Sequence, residues 1–312
     1  MKILLDEKQI RKGKPIGLPY IGSKKKISKK LIEIIKQNFG TDKTIYDLFG
    51  GGGDITLECK LQGLDVVYND VDPIPGLMIQ KILSEDREYL KTLICSREEF
   101  YRIKDKENKT TDDHLKLLIN SFGNNCKGYL YSKKHSDIKF NLGKEIIEKH
   151  DCFNGYKQTE TFKNFIKNED QLKSLDWENK EEKNRCLEVV QRLQQLQRLQ
   201  QLKQLENIQD IEANKKIKFY NKDYKEFSNV EKSIIYLDPP YKNTSKVYKH
   251  NNLDYEEFFD WCEYMSKYNI VLISGYDMPK NFECIYEFTK AKSALQSGTH
   301  NNKYEKLYTI NN

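Results

Sequence analysis

A strand-like run at 44–49 passes without a break into Gly50-Gly51-Gly52-Gly53-Asp54 and then into a helix-like stretch at 55–61. A second strand-like run at 65–68 ends at Asn69-Asp70. Strand, glycine turn, helix, strand and terminal acid in that order open a Rossmann-like unit, which implies a parallel sheet with crossover helices. Glycines permit the tight turn and let a ligand approach the backbone closely. Asp70 lies twenty residues past Gly50, at the strand tip where a carboxylate accepts hydrogen bonds from ribose hydroxyls. The loop departs from two phosphate-binding patterns: no third spaced glycine completes GxGxxG, and no P-loop lysine motif occurs. A nucleoside without a pyrophosphate fits this pattern best.

The α/β pattern resumes late in the chain. Strand-like runs lie at 217–220, 233–237, 269–274 and 305–310, and helices are expected at 24–39, 254–267 and near 278–284. In the first of these, Ile27, Leu31, Ile34 and Ile35 recur at helical spacing. Residues 96–180 are polar, Lys-rich and dotted with aromatics. From Leu187 to Ile211 an aliphatic residue recurs at every third position. Three residues advance an α-helix by about 300°, so such a stripe winds around the helix. It also misses the 3.5 spacing of a coiled coil. Composition nonetheless favours helix, and the tract reads as a helical arm or spacer without chemistry. The expected architecture is α/β: a Rossmann-like sheet with helices on both faces, built from 1–95 and 213–312. A mostly helical insertion at 96–212 interrupts it.

The 312-residue chain carries a net charge of +6, which permits a polyanionic partner without requiring one. No apolar run approaches a membrane span, and the first residues lack the long apolar region of a signal peptide. Seven cysteines without a CxxC pair and five histidines without ligand spacing predict reduced thiols and no metal. A cytoplasmic protein, monomeric or weakly dimeric, is the expectation.

The second constraining feature is Asp238-Pro239-Pro240-Tyr241, which follows the apolar run 233–237. A carboxylate, two rigid prolines and an aromatic ring at a sheet edge can grip a flat heterocycle bearing an amino group. The Asp accepts one amino hydrogen, a carbonyl fixed by proline accepts the other, and the Tyr ring stacks on the base. The same four residues could also be an ordinary turn.

Tyr20-Ile21-Gly22-Ser23-Lys24, Asp47-Leu48-Phe49-Gly50-Gly51-Gly52-Gly53, Asn69-Asp70 and Asp238-Pro239-Pro240-Tyr241 resemble, in order and spacing, the motifs of Dam-type DNA adenine-N6 methyltransferases. Members of that family bind S-adenosylmethionine and methylate adenine N6 in duplex DNA. The resemblance spans roughly 15–95 and 215–312. It implies that Tyr20 lies against the cofactor and that Lys24 stands near its methionine end and the catalytic pocket. Phe49 and Gly51 would surround the cofactor, and Asp70 would bind its ribose. Asp223 and Tyr224 would lie near its adenine, with Asp238 also at the cofactor. Tyr248 resembles a tyrosine in the loop that closes over the flipped base.

The chemistry follows from adenine N6 being a poor nucleophile, its lone pair delocalised into the ring. Hydrogen bonds from N6 to Asp238 and the Pro239 carbonyl would raise electron density there and stabilise developing positive charge. Pro240 keeps the turn rigid. The base must leave the duplex stack, with Tyr241 as its stacking partner. The insertion would read double-stranded DNA. Lys127, Lys133 and Lys134 suit phosphate contacts, Asn124 and Asn125 could reach base edges, and Tyr129 is one of the interleaved aromatics. The family's GATC-reading Arg-x-Asn pattern is replaced here by Asn124-Asn125-Cys126-Lys127-Gly128-Tyr129, which has no Arg. Two alternatives stay open: an RNA or other amino methyltransferase on the same sheet, and a non-catalytic DNA-binding protein that keeps the cofactor pocket.

Overall fold

The computed structural model describes residues 3–20, 22–153, 159–160, 163–164, 167, 197–211, 217–240, 253–288 and 304–310. The chain divides into two compact units, residues 1–83 with 210–312 and residues 84–209.

The first unit is a seven-stranded sheet formed by β1 (Ile45–Asp47), β2 (Val66–Asn69), β3 (Lys218–Tyr220), β4 (Ile234–Leu237), β5 (Ile270–Gly275), β6 (Phe282–Phe288) and β7 (Glu305–Ile310). The strand order is β3-β2-β1-β4-β5-β7-β6. Pairings from β3 through β5 are parallel, and β7 runs antiparallel to both β5 and β6. The order reverses between β1 and β4, which are direct neighbours with Asp47 opposite Tyr236. Open α/β sheets bind ligands in the crevice at such a reversal, beyond the carboxyl ends of the strands. The glycine loop leaves β1 at that point, and Asp238 leaves β4 beside it.

The continuous apolar run of β4 is explained by burial on both faces. Ile234 and Tyr236 enter one core with Leu31, Ile35 and Ile55, from helices α1 (Ser28–Phe39) and α2 (Asp54–Leu61). Ile235 and Leu237 enter the other core with Phe258, Trp261 and Met265. Helix α3 (Pro73–Ser84) follows β2.

Two expectations change. The helix expected over 24–39 begins only at Ser28, after a turn in which the Ile27 N–H donates to the Lys24 carbonyl at 2.9 Å. Lys24 therefore precedes the helix, and its own N–H is spent elsewhere. The helix expected near 278–284 is instead the start of strand β6. Phe282, Ile285 and Phe288 are buried three apart, a spacing that imitates a helix, but it arises from a β-bulge between Cys284 and Tyr286. The extra residue moves the strand's apolar side chains to the opposite face: Phe282 lies in one core, Ile285 and Phe288 in the other.

The second unit is helical over its described length: α4 (Arg87–Lys91), α5 (Arg97–Lys104), α6 (Thr111–Ile119), α7 (Ser136–His150) and α8 (Gln197–Gln209). It begins at Ser84 rather than 96, because α4 packs against α8 within this unit. Its core joins Cys95, Phe100, Ile103, Leu117, Tyr129 and Tyr131. The described part of the every-third-residue tract is helix α8, with Leu199, Leu202, Leu205 and Ile208 all buried. Each step of three retreats about 60° around the axis. Four such residues thus sweep a wide arc, which contacts with both α4 and α6 help to cover. Residues 187–196 lie outside the described set. Helix α6 starts with a reciprocal capping box, in which Thr110 accepts from the Asp113 N–H at 3.2 Å and Asp113 accepts from the Thr110 N–H at 3.0 Å. Thr110→Ala should lower stability by about 1 kcal/mol, read as an earlier urea midpoint.

Helix α9 (Tyr255–Ser266), the last among the described residues, belongs to the first unit and is capped by Asp254, whose carboxylate accepts the Glu256 and Glu257 N–H groups. Among the described residues no helix is long and apolar enough to cross a membrane.

Candidate active site

The crevice between β1 and β4 is organised from buried side chains outward. Asn69, the last residue of β2, has Nδ2 donating to the Leu48 carbonyl at 3.1 Å and to the Lys222 carbonyl at 3.0 Å. Its Oδ1 accepts the Lys222 N–H at 3.0 Å. One buried amide thus ties together the ends of β1 and β2 and the segment after β3. The Gly50 N–H donates to the Asn69 carbonyl at 2.8 Å, so the glycine loop hangs from the same residue.

The loop then turns through Gly51 at φ +45° and Gly53 at φ +75°, a region that side-chain-bearing residues adopt with strain. The Gly51 N–H donates to Asp70 Oδ2 at 2.8 Å, and Asp70 Oδ1 accepts the Asp72 N–H at 2.9 Å. These two bonds fix the Asp70 carboxylate at the tip of β2, the place where a ribose diol is met in such sheets. A Cβ on Gly51 would stand 3.6 Å from the Tyr20 ring, so this glycine keeps the space between ring and loop clear. Phe49 stacks on Tyr224, with centroids 5.9 Å apart and planes at 29°. Asp223 caps the short helix Tyr224–Phe227 by accepting the Lys225 N–H at 2.9 Å. The glycine cradle, the carboxylate at the strand tip and the flanking aromatics suit a nucleoside cofactor.

Beyond β4, Lys24 Nζ lies 3.0 Å from Asp238 Oδ1 and also pairs with Glu305. Burial works against the Lys24 ammonium, but the two carboxylates outweigh it and hold its pKa well above the ordinary lysine value. The Asp238 carboxyl is raised to about 7, by burial above all, with Lys24 opposing the rise and Glu305 adding to it. Lys24 is aimed here by its own backbone, whose N–H donates to Asp54 Oδ2, as the Ser23 hydroxyl does at 2.7 Å. Asp54 is the first residue of α2, an end that favours negative charge. Asp47, at the end of β1, accepts the Thr56 hydroxyl at 2.7 Å, and burial lifts its pKa to about 7. Pro239 is buried, and the Tyr255 hydroxyl donates to the Pro240 carbonyl, which fixes the turn from α9. Tyr241 and Tyr248 lie outside the described residues.

With this geometry, the deciding comparison is the family description "D12 class N6 adenine-specific DNA methyltransferase", which matches residues 20–200. The match covers more than half of the 312 residues. The chain belongs to this family of DNA methyltransferases. It is therefore an enzyme whose family acts on adenine in DNA. No curated protein matched the chain.

In the methyltransferase's second unit, the residues expected at DNA fall into three groups. Lys127 and Lys133 are exposed, and Lys134 lies in the short helix Lys133–His135. Asn124 and Asn125 build a turn: Asn124 Nδ2 donates to the Leu118 carbonyl at 3.1 Å, and Asn125 Oδ1 accepts the Lys127 N–H at 2.8 Å. Tyr129 departs from the expectation of a DNA-facing aromatic. It is 6% exposed, donates to the Cys95 carbonyl at 2.9 Å and accepts from Arg198, so its ring belongs to the core. The continuous apolar run Tyr129-Leu130-Tyr131 was the available signal for that burial.

Sequence reasoning missed Glu305, the structural role of Asn69, and Asp54 as the anchor for Lys24. Glu305 opens a strand, and nothing in a period-two pattern marks its first residue as facing a site 281 positions away in the chain.

Proposed function

We propose that this methyltransferase moves a methyl group from S-adenosylmethionine to N6 of an adenine turned out of double-stranded DNA. The observation that carries the reading is the placement of Asp238-Pro239-Pro240 beside the glycine loop at the strand-order reversal, with Lys24 held on Asp238 at 3.0 Å. When bound, S-adenosylmethionine supplies an electrophilic methyl on a sulfonium. Asp70 and the Gly50–Gly53 loop hold its nucleoside, with Tyr20, Phe49, Asp223 and Tyr224 flanking it. Asp238 and the Pro239 carbonyl would accept the two N6 hydrogens, freeing the nitrogen lone pair and stabilising the positive charge that develops there. As the N6–methyl bond forms the methyl–sulfur bond breaks, S-adenosylhomocysteine is the product, and the excess N6 proton leaves by way of Asp238 to water. Tyr241 stacks on the extruded base, and Tyr248 closes over it. Exposed Lys127 and Lys133, with Lys134, contact phosphates, while Asn124 and Asn125 face base edges.

Transfer of labelled methyl from S-adenosylmethionine to duplex DNA, with N6-methyladenine as product and no transfer to matched RNA, is the expected result. No N6-methyladenine on any duplex tested sinks the reading; transfer to RNA alone replaces the substrate. The charge state of Asp238 adds a pH signature. Its carboxyl is pushed up to about 7, and below that value it gains a proton and loses an acceptor site. The kcat/KM of methyl transfer should therefore fall on the acid side with a midpoint near pH 7, rather than near the value of about 4 for an ordinary Asp. An acid limb confined to pH 4–5 would contradict it.

A further inference from the structure

Glu305 has no part in the reaction proposed above, yet its carboxylate is buried on the same ammonium as that of Asp238. Side-chain exposures are 10% for Lys24, 17% for Asp238 and 7% for Glu305. Among the described residues, two carboxylates share one ammonium in a water-poor place. Burying an extra charge is costly, and a neutral Lys24–Asp238 pair backed by an apolar residue would pack more cheaply. The arrangement calls for a role beyond stability.

We infer that Glu305 is a positioning residue for methyl transfer: by sharing the Lys24 ammonium, it holds that cation at one oxygen of Asp238 and leaves the carboxylate electron-rich toward the base. The inference rests on the function proposed above. An ammonium paired with Asp238 alone would draw charge from the oxygens that must accept an N6 hydrogen. A second anion on the same ammonium weakens that draw and makes the local field more negative where N6 becomes positive.

The backbone makes this sharing rigid. Glu305 is the first residue of β7, which lies antiparallel to β5 with Leu307 opposite Ser274 and Lys306 opposite Gly275. The Thr309 hydroxyl donates to the Val271 carbonyl at 2.9 Å and pins the two strands further. Lys24 is fixed at its other end by the bond from its N–H to Asp54. Among the described residues, the groups facing Asp238 are Lys24, Glu305 from β7, Asp54 from α2, Asp47 from β1 and Tyr236 on its own strand. Among them Lys24 lowers the proton affinity of Asp238, while Glu305 and Asp54 raise it.

The test uses full-length wild type, Glu305→Gln and Glu305→Asp. Glu305→Gln should reduce kcat by up to roughly tenfold, the rate equivalent of a shift of about one pH unit in Asp238. KM for DNA and affinity for S-adenosylmethionine should stay near wild type. Asp238, followed by carboxylate NMR, should titrate roughly one pH unit lower in Glu305→Gln, because a like charge has been removed. The acid limb of kcat should move with it. Glu305→Asp keeps the charge and should restore the wild-type Asp238 midpoint and part of the rate. An unmoved Asp238 midpoint in Glu305→Gln, or a wild-type kcat in that variant, overturns the role. A wild-type enzyme that titrates as described but transfers no methyl overturns the proposed function, and this role with it, through a separate readout.

Discussion

Asp238→Ala should lower the rate of methyl transfer by at least about a thousandfold, or about 4 kcal/mol of transition-state stabilisation. It removes an acceptor aimed at a charge that develops only during reaction, so the loss should fall on kcat rather than on substrate binding. The fold should survive the change. Lys24 keeps Glu305 as a partner, so no buried cation is stranded, the condition under which breaking a buried pair becomes severe. S-adenosylmethionine binding should stay measurable, because the glycine loop and Asp70 are untouched. Single-turnover methylation together with cofactor titration of the variant makes the distinction. An alanine variant within tenfold of the wild-type rate would show that the carboxylate is not the N6 acceptor.

Gly50→Ala should be strongly damaging to the site. A Cβ there would lie 2.3 and 2.5 Å from two carbons of the Tyr68 ring. The ring cannot simply swing aside. It is 1% exposed, packs against Phe219 with centroids 5.1 Å apart, and its hydroxyl donates to the Gly51 carbonyl at 2.8 Å. Moving the ring costs overpacking of about 1–3 kcal/mol, and losing the hydroxyl's bond adds about 1 kcal/mol. Displacement of the loop should also weaken S-adenosylmethionine binding. Gly128→Ala is the natural control, since a Cβ there meets nothing within 4 Å. The expected result is a clearly earlier urea midpoint and weaker cofactor binding for Gly50→Ala, with Gly128→Ala close to wild type. Equal midpoints for the two variants would mean that the loop and Tyr68 can relax together.

The parts of the sheet legible in the sequence were those with a local signature. The glycine run marks the turn after β1, and Ile234-Ile235-Tyr236-Leu237 reads as a strand because both faces are covered. The stacking of Phe49 on Tyr224 and the pairing of Lys24 with Asp238 bring together residues that the motif order already grouped. Long-range geometry was not legible in the same way. Glu305 reaches the site through an antiparallel strand whose register depends on β5, and Tyr129 is core because Cys95 and Arg198 arrive around it. In β6 the bulge between Cys284 and Tyr286 interrupts the alternation that marks a strand. Helices α5 and α6 are short and their apolar positions few, so the polar majority of the insertion hid them.

The bulge in β6 has a consequence for how the sheet comes apart. Because Phe282 is anchored on one face and Phe288 on the other, the β6–β7 hairpin works like a rivet through the sheet. It cannot peel away from β5 without opening both cores at once. The strand that carries Glu305 is thereby tied to the cooperative unfolding of the whole catalytic unit rather than to local fraying at an edge.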